Sequence, residues 1–254
     1  MNLIGMIKGI FNPKKKIDPK ILPSQGIFYK DDLEIYIKKA KMEDIIEYEL
    51  DYNKNDLGTV IRKLKNLVQK NSSFSSDYTF NDLKSIDVVF IFLEIVKLTK
   101  GSPITVTFNN SVGELESINF DSKSFNYFKI GDDLMKSYDD KNKYFLISGY
   151  KYTLPTIGIE DSLTNYLISR HDEDMKKYNE YNYDFIYFLG EKNKLEFNEI
   201  DNLIHIFNMD IEDVEREKIV TVVGSFASIH RYSLKKGNRV IEINSKIDLE
   251  RIWK

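Results

Sequence analysis

The chain has 254 residues, 42% of them hydrophobic, enough to bury a core as one large domain or two small ones. With 37 basic against 40 acidic residues the formal charge is -3, so no global field draws in nucleic acid and strong nucleic-acid binding is not expected. The absence of cysteine excludes disulfides, thiol catalysis and thiolate zinc sites. Lysine, asparagine and isoleucine are abundant, a bias that an AT-rich genome produces, so a lysine run by itself carries no functional signal. No segment reaches the roughly 18–20 apolar residues that span a bilayer.

The first residues, "MNLIGMIKGIFNPKKK", place their charges after the apolar stretch, the reverse of a signal peptide. Leu3, Ile7, Ile10 and Phe11 share one helical face. The favoured reading is a terminal helix packed on its own domain, followed by an arm docking on a partner, with membrane contact last. Lys14, Lys15 and Lys16 follow Pro13 as an expected solvated connector.

The segment "ILPSQGIFYKDDLEIYIKK" comes next. Pro23 cannot donate to a strand ladder and is expected at a strand entrance or edge, and Ser24 to Gly26 read as a turn. Ile27 and Tyr29 lead into the polar turn Lys30-Asp31-Asp32, after which Leu33, Ile35 and Ile37 alternate with polar residues. The expectation is a β-hairpin over residues 27–37 feeding a helix, with Glu43 and Asp44 in its first turn, where the dipole favours acids.

A second helix is predicted over 56–70, with Val60, Ile61, Leu64, Leu67 and Val68 on its apolar face. "NSSFSSDYTFND" reads as a serine-rich loop. The helix over about 83–99 carries "IDVVFIFLEIVKL", apolar round much of its circumference and therefore central, with Gly101 placed to cap it. Residues 102–158 hold short β-prone runs and predict a small antiparallel sheet. Helices return over 160–178, 182–189, 197–207 and 211–229, before a hairpin "HRYSLKKGNRVIEI" and a short helix "LERIW". The pattern is α+β: an N-terminal β-hairpin and helices, a central small antiparallel sheet, and a C-terminal helical region ending in a β-hairpin. The divisions fall at 1–22, 23–101, 102–158 and 159–254, with 23–254 one compact unit or two closely packed domains.

A search for chemistry finds no glycine-rich phosphate loop and no G-x-S-x-G elbow. His171, His205 and His230 stand far apart without an i, i+4 partner, and His205 in "LIHIF" reads as a core imidazole. The acidic doublets Asp31-Asp32, Asp132-Asp133 and Asp139-Asp140 fall in predicted turns, which explains them better than metal binding. "EDVEREK" places Glu212 four residues before Arg216, an ordinary helix-surface pair. The sharpest catalytic pattern is "ELESINFDSK": Asp121-x-Lys123 with Glu116 outlines a divalent-metal nuclease centre, two carboxylates on the metal and a lysine steadying the attacking water. On a regular strand, however, Glu116 and Asp121 point to opposite faces, so the pattern stays an alternative.

The run "LPSQGIFY", followed by "LEIYIKK" and "MEDIIEYEL", resembles the opening segment of the baseplate hub and tail-assembly proteins of T-even-like contractile-tailed bacteriophages. Leu22, Pro23, Ser24, Gly26 and Tyr29 carry the likeness, which continues loosely through "DLKSIDVVFIFLEIVKLTKGSPITVTF", "YKYTLPTIGIEDSLTNYL" and "DLERIW". The resemblance implies a non-enzymatic structural or assembly role through protein–protein binding, in the virion tail baseplate or in the host cytoplasm during assembly. It implies other tail and baseplate proteins as partners, an oligomer being compatible with it, and no cofactor, metal or catalytic residue. Cysteine pairs of the kind some relatives carry in the central β region are missing here, so no metal stabilisation is carried over. The five residues would then define a fold, and Leu3, Ile7, Ile10 and Phe11 a docking arm. A regulatory or adaptor protein of an AT-rich phage or bacterium is the third reading.

Overall fold

The computed structural model describes residues 14–41, 43–44, 57–75, 77–101, 104–109, 115–120, 132–147, 150–169, 196, 198–202, 232–236 and 239–243. Its elements are helices and small antiparallel sheets, an α+β architecture.

Three short strands make the first sheet: β1 (Lys15–Ile17), β2 (Ile35–Ile37) and β3 (Ser72–Phe74), in that spatial order and antiparallel throughout. Ile17 faces Ile35, which faces Phe74, while Lys16, Tyr36 and Ser73 form the adjacent row. Side chains alternate across a sheet, so Ile17, Ile35 and Ile37 enter the core and Lys16 and Tyr36 point the other way. The hairpin expected over 27–37 does not form: β2 pairs with Lys15–Ile17 across the intervening residues 18–34, and residues 27–29, expected as its first arm, are turn and bend. Nor is Lys14 to Lys16 a free connector, since two of these lysines lie on a strand that carries a buried isoleucine.

Helix α1 (Leu57–Asn71) runs straight into β3 where a serine loop was expected. The residues that suggested a loop terminate the helix: Asn71 Nδ2 donates to the Leu67 carbonyl at 2.9 Å and Ser72 Oγ to that of Val68 at 2.8 Å. The chain then leaves as an edge strand. Leu64, Leu67 and Val68 are buried as their spacing predicts.

Helix α2 (Val88–Lys100) lies at the centre of the core formed by the described residues, with every residue from Phe90 to Val96 buried. Each fully buried aromatic or aliphatic side chain there stabilises by about 1.5–3 kcal/mol. Gly101 ends it in the left-handed conformation, φ 66°, its N–H donating to the Lys97 carbonyl at 3.0 Å, the cap the sequence predicts. The first sheet and α1 pack on α2 in one continuous apolar cluster, which Ile157 joins.

Strands β4 (Ile104–Asn109) and β5 (Leu115–Phe120) pair with each other and with no other strand among the described residues. After the short α3 (Asp132–Met135), β6 (Tyr138–Asp139), β7 (Tyr144–Ile147) and β8 (Tyr150–Tyr152) form a separate three-stranded sheet. The expected central sheet is therefore two small antiparallel sheets, and Asp132-Asp133 begins a helix instead of a turn. Asp139 does behave as a turn residue, accepting from the backbone N–H groups of Lys141 and Asn142 at 3.0 Å each. Helix α4 (Ile157–Ser169) follows, and β9 (Tyr232–Lys236) pairs with β10 (Arg239–Ile243) as the expected terminal hairpin. The helices expected at 182–189 and 211–229, the "LERIW" helix, the histidines and the Glu212–Arg216 pair lie outside the described residues.

Candidate functional site

Residues 18–29 wind through consecutive tight turns. Asp18 caps the single turn Pro19–Ile21 by accepting from Lys20 N–H at 3.0 Å. Gln25 N–H then bonds the Leu22 carbonyl at 2.7 Å, and Tyr29 N–H the Gly26 carbonyl at 3.1 Å. Gln25 and Gly26 both take left-handed backbone, φ 55° and 73°. At Gly26 space makes the same demand, because a Cβ would sit 3.1 Å from the backbone carbon and oxygen of Pro19. Pro23 lies in this turn and not at a strand entrance. The motif is a coil folded on itself.

That coil closes on Asp87, the residue just before α2. Asp87 makes no side-chain cap on its own helix. Its Oδ1 accepts from Ser24 N–H at 2.9 Å and its Oδ2 from the Tyr29 hydroxyl at 2.7 Å. The Tyr29 oxygen in turn accepts from Lys84 N–H at 2.7 Å, and Ser24 Oγ accepts from Gly26 N–H at 3.2 Å. Asp87 is 0% exposed, Tyr29 3% and Lys84 5%. Buried polar groups persist where they are hydrogen-bonded, and here the Ser24 N–H and hydroxyl and the Tyr29 phenol all donate to a carboxylate that lacks a contacting cation among the described residues.

Lys84 reaches the other way. Its ammonium donates to Thr153 Oγ1 at 3.3 Å and lies 5.9 Å above the Phe28 ring. Its backbone bridges to Thr156, flanked by Ser85 N–H to the Pro155 carbonyl at 3.0 Å and Ile157 N–H to the Leu83 carbonyl at 2.9 Å. Segment 83–85 therefore holds the lead-in to α4. The third sheet arrives through aromatics: the Phe28 and Phe145 rings are 5.8 Å apart, those of Tyr138 and Phe145 5.0 Å, and the Tyr138 hydroxyl donates to the Ile27 carbonyl.

Burial sets the ionisation of the cluster. It raises Asp87 to about 6, against the donors from Tyr29 and Ser24, and lowers Lys84 to about 8 despite the nearby Asp87 and Asp82 charges. Burial, with the Asp87 charge behind it, pushes the Tyr29 phenol well above its ordinary range, and burial takes Tyr138 to about 12. Carboxylate, phenol and ammonium all face protein, so the arrangement can join three chain segments; it does not present them as reacting groups on a surface.

Of the residues singled out in the sequence, Leu22, Pro23, Ser24, Gly26 and Tyr29 come together in this one turn, and Leu22 is fully buried. Lys84 and Asp87 were missed. Their signal was legible: "LKSIDVVF" puts a lysine and an aspartate directly before a run apolar on all sides, where neither can reach water easily. Asp121 and Lys123 lie outside the described residues, as do Leu3, Ile7, Ile10 and Phe11. Glu116 lies on β5 opposite Phe108, and that strand ends at Phe120. Among the described residues no group of three or more acids or histidines is placed to hold a metal, and no helix is long and apolar enough to cross a membrane. A scan of protein-family models gives no match to this chain, and neither do searches among curated proteins and solved structures.

Proposed function

We propose that the chain is a structural or assembly protein of a contractile bacteriophage tail, acting at the baseplate hub by binding other tail proteins and not by catalysis. The observation that supports this reading is the use to which the family-like segment is put. Ser24, Gly26 and Tyr29 are held within the chain, two of them on Asp87, and Gly26 is required by both conformation and space. A segment of that kind marks an architecture. Its place of action would be the tail baseplate of the virion, or the host cytoplasm during assembly. Contact with partners would run through strand edges, the aromatic surface, or the arm bearing Leu3, Ile7, Ile10 and Phe11.

The test is capture of tagged protein from phage-infected cells, with mass spectrometry of what is retained. Baseplate and tail proteins are the expected catch. Nucleic acid or host regulators in their place would overturn the reading and bring forward the nuclease or adaptor alternatives, beginning with Asp121→Ala in a magnesium-dependent cleavage assay. Deleting residues 1–12 is expected to leave the thermal midpoint unchanged while weakening capture; undiminished capture would remove the docking role of the arm.

A further inference from the structure

Lysines at the first sheet divide into two sorts. Lys15 and Lys16 each meet a carboxylate at 2.5 Å, Glu94 and Glu34, and Lys70 meets Asp44 at 3.1 Å. Lys14 and Lys38 have no carboxylate partner among the described residues. They are nonetheless neighbours. Lys15 pairs with Ile37, so Lys14 and Lys38 form the next cross-strand pair outward, on the face of the sheet that carries Lys16 and Tyr36. Like charges opposite each other on antiparallel strands repel, and nothing described between these two neutralises them.

The pair borders a recess of about 60 Å³, whose wall includes Tyr36, Asn71, Ser72 and Ser73. A water needs about 10–15 Å³ on this measure, so the recess takes a small oxoanion with its hydration and not a nucleoside. Lys14 Nζ already reaches Ser73 Oγ at 3.4 Å, which leaves the Ser73 hydroxyl hydrogen available to a further acceptor. The recess is also well anchored. Lys38 N–H bonds the Asn71 carbonyl at 2.9 Å, and the Asn71 and Ser72 side chains are fixed on the last carbonyls of α1.

We infer that Lys14, Lys38 and Ser73 form a binding site for a single oxoanion, a phosphate or carboxylate group. Two ammonium groups would share its charge, and the serine hydroxyl would donate a third hydrogen bond. The site is independent of the tail-protein reading and of the buried Asp87 cluster.

The experiment is an amide NMR titration of the full chain with inorganic phosphate, and separately with acetate, at fixed pH and at ionic strength held with sodium chloride. Saturable shifts at Lys38, Ser72 and Ser73 are expected. Affinity should fall at least tenfold in the double variant Lys14→Ala/Lys38→Ala and change less than twofold in Lys39→Ala. Tighter binding of phosphate would assign the site to a phosphate group, tighter binding of acetate to a carboxylate. Lys14→Glu should supply the anion from within the chain, raising the thermal midpoint and abolishing the titration. Shifts that never saturate with either probe, or that persist in the double variant, would overturn the inference.

Discussion

Two carboxylates are buried along the central helix, and the fold treats them differently. Asp87, at the entrance of α2, receives a backbone N–H and a phenol, both neutral donors within hydrogen-bond distance of its two oxygens. Glu94, in the middle of the helix and 2% exposed, receives the ammonium of Lys15 at 2.5 Å from the edge strand β1, while its Oε1 has no partner among the described residues. One acid is solvated by the protein and the other is neutralised by a lysine that remains half in water. A carboxylate held by neutral donors joins distant segments in one geometry; one held by a flexible cation is tolerated, with an oxygen left over.

The difference is open to direct attack, and Asp87→Ala should have the largest effect. It strands Ser24 N–H and the Tyr29 hydroxyl inside the core, a loss of about 3–5 kcal/mol visible as a lowered denaturant midpoint. Tyr29→Phe removes the bridge between Asp87 and Lys84 N–H and should lose about 2 kcal/mol; a loss below 0.5 kcal/mol, measured by the same ~10% precise denaturant curves, would show that the phenol is dispensable.

The second contrast is in pH. Asp87 takes up its proton near 6 in the folded chain against 3.8 unfolded, so its protonation stabilises the fold fully below about pH 4, and that stabilisation is lost as pH rises through about 6. Lys84 releases its proton near 8 in the fold against 10.5 unfolded, so the matching stabilisation is full above about 10.5 and is lost as pH falls through about 8. Between these values both groups are charged and buried, and their joint contribution passes through a minimum, roughly 3 kcal/mol below either limb. The Asp87→Asn profile should lose the acid limb and the Lys84→Met profile the alkaline limb, so that each wild-type-minus-variant difference varies with pH across the limb removed. A flat difference profile in either case would contradict the burial of that charge.

Smaller effects belong to the ion pair and to the turn. Lys15→Met leaves Glu94 buried without its cation and should destabilise by about 1–3 kcal/mol, the partial exposure of Lys15 tempering the loss. Adding Glu94→Leu should recover most of it, because an apolar side chain suits that position; no recovery would mean that Glu94 has a role beyond the pair. Gly26→Ala, which meets both a left-handed φ and the Pro19 backbone, should lose about 1–2 kcal/mol in a thermal melt.

Much of the architecture was legible in the sequence. Periodicity marked α1 and α2 to within a few residues of their ends at Asn71 and Lys100, Gly101 marked a cap, and the alternation in "LEIYI" marked β2. These signals are local: a helix face, a left-handed cap and a period of two are each decided within a few residues. Which strand pairs with β2 was not local. Its partners come from a lysine run and from a serine stretch, 18 and 39 residues away at the register positions Ile17 and Phe74 relative to Ile35 and, for the latter, beyond it by a whole helix. Lys15 and Ser73 have no strong strand preference of their own, and the edge positions they take need none.

The segment around Pro23 divides in the same way. Composition marked a turn at Ser24 to Gly26, with a glycine at 26 free to take the left-handed backbone it adopts, while residues 27–29, expected as a strand arm, proved to belong to the turn as well. Only the tertiary structure decided what the turn is for. Burying α2 on all sides forces Asp87 and Lys84 out of water, and a desolvated carboxylate then needs donors from wherever the chain can bring them. Ser24 and Tyr29, some 60 residues upstream, supply them (63 and 58 residues away, respectively). The requirement arises from packing, and packing is a property of the whole fold.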